Sequence, residues 1–240
     1  MYARNFDNRP EPLTFGVSGK LIRNALVMYD RQTDTLWSQF LGVAVAGELQ
    51  GTRLEPLAST LTDWGTWRRL YPDTIVLDQG GQRFDPYSSY YVNGSAGVLG
   101  ERNSDDRLGL KEFVLGIQLP GFQEAYAFRD LSDMPVVNDR LGDQDLLVVF
   151  DRDAATGVAF DRLVDGRVLT FDLAPDAPGA PEGLLAIRDR ETGTLWSGLT
   201  GEATEGALAG AQLQQLTFTQ VFWFAWTDFF PDAPLWGRDG

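Results

Sequence analysis

Short runs of β-branched and aromatic residues, broken every few positions by Gly, Asp, Asn or Thr, dominate this chain. Residues 25–30 and 35–40 are such runs on either side of Arg31-Gln32-Thr33-Asp34, and the pair predicts a hairpin. Gly42, Gly47 and Gly51 then punctuate two further short strands that end near residues 53–57. The period changes at Thr62-Asp63, a helix start, after which Trp64, Trp67 and Tyr71 recur at helical spacing until Pro72 closes the element. Near the far end, Thr219 or Gln220 opens a matching helix with Trp223, Trp226 and Phe230 on its apolar face. Asp165-Gly166, between residues 160–164 and 167–171, is a two-residue hairpin turn. In the middle, residues 80–91 read as an ordered Gly- and Tyr-rich loop. They are followed by a strand over 113–118, a short element over 125–131, a run at 136–139, and a pairing of 145–150 with 157–163 across 151–156.

An internal repeat organises these elements. Asp30-Arg31-Gln32-Thr33-Asp34-Thr35-Leu36-Trp37-Ser38 returns as Asp189-Arg190-Glu191-Thr192-Gly193-Thr194-Leu195-Trp196-Ser197. The offset of 159 holds without a gap from residues 30–73 to 189–232, and 19 of those 44 positions are identical. Leu13-Thr14-Phe15 matches Leu169-Thr170-Phe171 at an offset of 156, which places three extra residues of the second copy near 176–181. Duplication and fusion is the expected origin. The expected fold is mainly β, of the α+β class: two copies of a hairpin/meander unit, each closed by a short aromatic helix. Copy 1 covers 1–77, a central insert 78–158 and copy 2 159–240, packed as one compact pseudo-symmetric body. Asp151 to Gly157 resembles a propeller-blade hairpin, but the 159-residue offset does not fit blades of about 40–50 residues.

Composition narrows the chemistry. The 240 residues include no histidine and no cysteine, which excludes catalytic triads with an imidazole, thiol nucleophiles, zinc fingers and disulfides. Any catalysis uses Asp, Glu, Tyr, Ser, Lys or Arg, and any metal is a hard ion held by oxygen. A net charge of −14 argues against nucleic acid and anionic membranes. No apolar run is long enough to span a bilayer, and the polar first ten residues are not a signal peptide. With 43% hydrophobic residues the chain has the means to bury a core.

Candidate residues follow from these limits. Trp37, Trp64, Trp67, Trp196, Trp223 and Trp226 occupy three positions written twice, so they are expected to anchor cores rather than stack on a ligand. Asp30, Thr33, Asp189 and Thr192 are expected to tie the hairpin turns, the alternative being carboxylates that act as acid and base or as metal ligands. Asp139, Asp143 and Asp145 lack the spacing of an EF-hand loop and read as a solvated turn. No cofactor is expected. In the unrepeated insert, Tyr87, Tyr90, Tyr91, Arg107, Lys111, Tyr126, Asn138 and Asp139 are polar-tipped groups that could line a ligand cleft. Lys111 and Arg107 suit an anionic group, with ion pairing to Asp105, Asp106 and Glu112 as the structural alternative. The helix over 221–230 is aromatic but carries Asp228 and is too short to cross a bilayer, so burial is expected.

Several stretches resemble a known family. Phe15-Gly16-Val17-Ser18-Gly19, residues 24–33 with Trp37, Gly47 to Leu54, Asn138-Asp139, Val164-Asp165-Gly166-Arg167 and Phe222 to Trp226 are similar to the domain of unknown function family numbered 3179. The resemblance runs from about Phe6 to Trp236. It implies a prokaryotic protein of uncharacterised function, often carrying an export signal or lipoprotein anchor, and hence an extracytoplasmic site. Family members begin with a Cys-Pro-Leu segment before a Phe-Asp strand. Here Phe6-Asp7 resembles that strand without the cysteine, so the chain is expected to start inside its domain. The functional expectation is a non-catalytic module that binds a small molecule or protein partner through the insert. The alternatives are a His- and Cys-independent enzyme, a hydrolase being one form, using Asp, Tyr, Arg or Lys in the cleft between copies, and a Ca²⁺ or Mg²⁺ binder.

Overall fold

A computed structural model describes residues 1–5, 10–78, 87–175, 177–178 and 184–238. The expected Phe6-Asp7 strand, the loop over 80–86 and four of the six residues of the insertion near 176–181 lie outside these residues. In chain order the elements are β1 (Phe15–Ile22), β2 (Ala25–Asp30), β3 (Leu36–Ser38), β4 (Val43–Ala46), α1 (Trp64–Leu70) and α2 (Ser88–Val92). Then come β5 (Phe113–Leu119), β6 (Phe122–Ala127), α3 (Phe128–Asp133), β7 (Val136–Leu141), β8 (Gln144–Asp151) and β9 (Thr156–Asp161). The chain closes with β10 (Leu163–Val164), β11 (Arg167–Val168), β12 (Phe171–Leu173), β13 (Ala186–Asp189), β14 (Leu195–Ser197), β15 (Ala203–Glu205), β16 (Phe218–Phe222) and α4 (Trp223–Phe229). The fold is mainly β, with antiparallel sheets and short helices.

The chain forms two compact units. Unit 1 comprises Met1–Ser59, Asn93–Lys111 and Phe222–Asp232, and unit 2 comprises Thr60–Val92, Glu112–Val221 and Ala233–Gly240. Each unit draws on segments far apart in the chain. Unit 1 is built on the sheet β1-β2-β3-β4. Its first hairpin turns at Arg23-Asn24, whose φ values of 50° and 66° give the twist a two-residue turn needs between right-twisted strands. Leu13, Trp37, Ala44 and Leu54 form its small apolar core.

Unit 2 contains the sheets β12-β13-β14-β15, β16-β5-β6 and β7-β8-β9 with the hairpin β10-β11. One core cluster joins Leu147, Val149, Val158, Phe160, Phe171, Ile187 and Trp196, and another joins Leu115, Ile117, Tyr126, Leu146, Val148 and Phe150. Every residue of β8 from Leu146 to Asp151 is buried, so this strand reads as a continuous apolar run rather than an alternation.

The repeated segments fold into sheets of the same strand order and register. Phe15 pairs with Asp30 as Phe171 pairs with Asp189, and Met28 faces Trp37 as Ile187 faces Trp196. Gly47 and Gly206 both have φ 109°, and a Cβ on either would come within 2.8 Å of the backbone of Thr35 or Thr194. Two residues far apart in the chain thus answer one steric demand.

Three expectations need correction. Trp64 is not a core residue: it is 47% exposed at the N-terminus of α1, whose buried position is Thr66. Helical spacing shows which residues share a face and not how much of that face finds a partner. Thr219 and Gln220 do not open the second helix, because residues 218–222 are extended in β16 beside β5, and α4 begins at Trp223. Residues 88–91 are helical in α2 rather than loop.

Candidate functional site

In β6, Glu124 and Tyr126 are two residues apart and therefore on one face, and Asp139 of β7 comes to the same place. The Tyr126 phenol, fully buried, lies 2.9 Å from Asp139 Oδ2 and 3.1 Å from Glu124 Oε2. A phenol has one hydrogen, so it donates to one of these carboxylates at a time. Burial, then the two neighbouring negative charges, drive the pKa of Tyr126 far above its ordinary value of 10. The ring stacks on Trp236 at 6.0 Å. Asp139 Oδ1 accepts from the Arg140 N–H at 2.7 Å, and the Asp139 carbonyl accepts from Arg162 at 3.2 Å. Arg162 also donates to the Leu169 carbonyl and lies 3.6 Å from Asp145, while its buried Nε has no hydrogen-bond partner among the described residues. The group is a buried donor held between two acids, flanked by one guanidinium.

The other candidates of the insert have defined partners. Asn138 uses its whole amide: Nδ2 donates to the Phe171 carbonyl and Oδ1 accepts the Phe171 N–H, both at 2.8 Å. Its side chain thereby acts as a strand edge joining β7 to β12. Arg107 pairs with Asp105 at 2.7 Å and places its guanidinium 5.2 Å over the Trp223 ring. Burial raises the Asp105 pKa, but the hydrogen bonds and charge of Arg107 outweigh it, and the net shift is downward. Lys111 Nζ donates to Asn93 Oδ1 at 2.8 Å and to its carbonyl at 2.9 Å. Tyr87 and Tyr91 are exposed and Tyr90 is half-buried, beside Tyr91 at 6.4 Å. Arg107 and Lys111 belong to unit 1 and the remaining candidates to unit 2. Within unit 2, Tyr126 and Asp139 meet. Glu124 completes their cluster; its signal in the sequence is an acid two positions before Tyr126, a spacing that an extended chain places on one face.

The two turn motifs make the same bonds. Trp37 Nε1 donates to Asp30 Oδ2 at 2.8 Å, and Trp196 Nε1 to Asp189 Oδ2 at 2.9 Å. Thr33 and Thr192 give both their N–H and hydroxyl to the same aspartates, at 2.6–2.9 Å for Oδ1. Both aspartates are buried. Among the described residues, no group of three or more His, Cys, Asp or Glu side chains is placed to hold a metal ion.

A family model describing a protein of unknown function, DUF3179, matches residues 2–233, nearly the whole chain. This protein belongs to the DUF3179 family. Comparison with curated proteins and with solved structures finds no match. In this DUF3179 protein the stretches that carry the resemblance do identifiable work. Asn138 splices two strands, Asp139 holds Tyr126, and Asp165-Gly166 forms the β10–β11 turn with φ 48° and 76°. No helix among the described residues is long and apolar enough to cross a membrane.

Proposed function

We propose that this DUF3179 protein is an extracytoplasmic binding module that works without covalent chemistry and engages a small molecule or protein partner through its central segment. The observation that supports this is a division of labour within the segment. Its charged and amide groups are committed to holding the chain together, Arg107 to Asp105, Lys111 to Asn93 and Asn138 to Phe171. Apolar surface lies exposed in unit 2: Val92 of the segment, 86% exposed, and, just before the segment begins, Ile75 and Leu77, 94% and 82% exposed, near Tyr87 and Tyr91 in sequence. Solvent-facing aliphatic and tyrosine side chains suit a contact surface. The extracytoplasmic placement rests on the family resemblance.

A second reading, an enzyme, draws on the Glu124–Tyr126–Asp139 cluster. It is the weaker one, because a phenol driven so far above 10 keeps its proton at neutral pH and serves as a donor rather than a base. One experiment separates the two. The protein is screened by thermal shift against a metabolite panel and assayed against chromogenic ester, phosphoester and glycoside substrates. We expect a ligand-dependent rise in Tm, abolished by Ile75→Ser with Leu77→Ser and Val92→Ser, and no turnover. Turnover that Tyr126→Phe removes overturns the binding reading in favour of the enzyme.

A further inference from the structure

The connectivity of the two units carries an inference of its own. Unit 1 combines the sheet β1–β4 of the first repeat with α4 of the second, and unit 2 combines β12–β15 of the second repeat with α1 of the first. Equivalent positions meet in both. Phe40 stacks on Phe229 at 4.2 Å, and their counterparts at the 159-residue offset, Leu199 and Leu70, belong to one apolar cluster. Each repeat's sheet is thus in the same unit as the other repeat's helix, the connectivity of a swapped dimer written into one chain.

The N-terminal sheet has the means to make the same exchange between chains. Within unit 1, no strand of another sheet pairs with β1–β4 among the described residues. Met1–Ser59 is held instead by Phe40 against Trp226, Phe229 and Phe230, by Arg23 on the Asp228 carbonyl and over Phe229, and by Asn24 on Leu99 and Gly100. Downstream, a single crossing joins it to the rest of the chain. Leu57 is still bonded to Met1 at 2.9 Å, and Thr60 already to Gln215 at 3.0 Å, which leaves Ala58-Ser59 as the hinge. A hinge this short between two well-packed ends favours opening over bending.

We propose that a second copy of this chain occupies the same interface. Met1–Ser59 of one copy docks on residues 93–111 and α4 of another, reciprocally, in a closed two-fold dimer. Every contact it uses already exists within one chain, so the dimer differs from the monomer in the hinge alone.

The test uses the wild-type chain. Lys20 and Lys111 are its only lysines, and both lie in unit 1, on either side of the proposed exchange. Light and heavy-isotope chains are mixed equally in urea, refolded at rising concentration, separated by size and treated with an amine-reactive crosslinker. The expected result is a dimer fraction that grows with concentration, in which about half of the Lys20–Lys111 crosslinks join light to heavy, as random pairing in a two-fold exchange requires. Monomers give single-label crosslinks. Only monomer at every soluble concentration, or a dimer with single-label crosslinks alone, overturns the proposal. Phe40→Cys with Phe229→Cys, in this otherwise cysteine-free chain, gives a second reading with a short bis-maleimide. The dimer fraction should run at twice the chain mass on a denaturing gel, and a band at single-chain mass from that fraction also overturns the proposal.

Discussion

Asp30 shows how much one side chain can be asked to hold. It takes hydrogen bonds from an indole, a hydroxyl and a backbone amide while fully buried, and Asp189 does the same. Burial raises the Asp30 pKa, but the bonds from Trp37 and Thr33 more than offset it, and the net shift is downward. A lowered folded pKa stabilises the protein above the unfolded carboxylate range, and that stability is lost as pH falls through the folded value. Asp30→Asn should therefore cost roughly 2 kcal/mol at neutral pH, the order of a hydrogen bond to a charged group. By urea denaturation, the gap from wild type should hold steady down to about pH 5 and close below about pH 4. The tryptophans make a matching contrast. Trp37 is fully buried and Trp64 is 47% exposed, so Trp37→Ala should cost about 3–5 kcal/mol and Trp64→Ala less than about 1. Equal losses would mean that Trp64 is packed.

Local signals predicted elements well wherever turn chemistry set them. The Asp165-Gly166 turn, the pairing of β2 with β3 and of β8 with β9, and the existence of both aromatic helices follow from side-chain pattern. The start of α4 did not, because residues 218–222 carry no breaker and extend as β16. The two helices also begin differently. Asp63 caps α1 by accepting the Thr66 N–H at 3.0 Å, whereas Phe222 at the matching position of α4 makes no side-chain cap bond. Asp63→Ala should lower stability, read as a fall in the urea midpoint on chemical denaturation. Asp63→Asn, which keeps an acceptor, should recover most of it.

For the whole molecule, the excess of 34 acids over 20 bases has a consequence apart from any partner. Self-repulsion opposes the compact state and is screened by salt. Monovalent salt should raise Tm, and a fall would show that ion pairs such as Arg107–Asp105 outweigh the repulsion. The candidate site illustrates what a linear reading misses. Tyr126 and Asp139 were both visible as polar-tipped residues of the insert, but nothing local says that they share one hydrogen while Arg107 and Lys111 serve another unit.

By itself the sequence determined the fold class, the repeat, the turn residues and the family, because each is carried by side-chain pattern within a few positions or by identity at a fixed offset. Only the tertiary structure decided which unit each aromatic helix joins, that Trp64 faces solvent, and that Asn138 is a strand splice. These depend on which surfaces meet across 30 or more residues of chain, as Asn138 meets Phe171. No local pattern encodes that choice, because the same apolar face serves any partner of complementary shape.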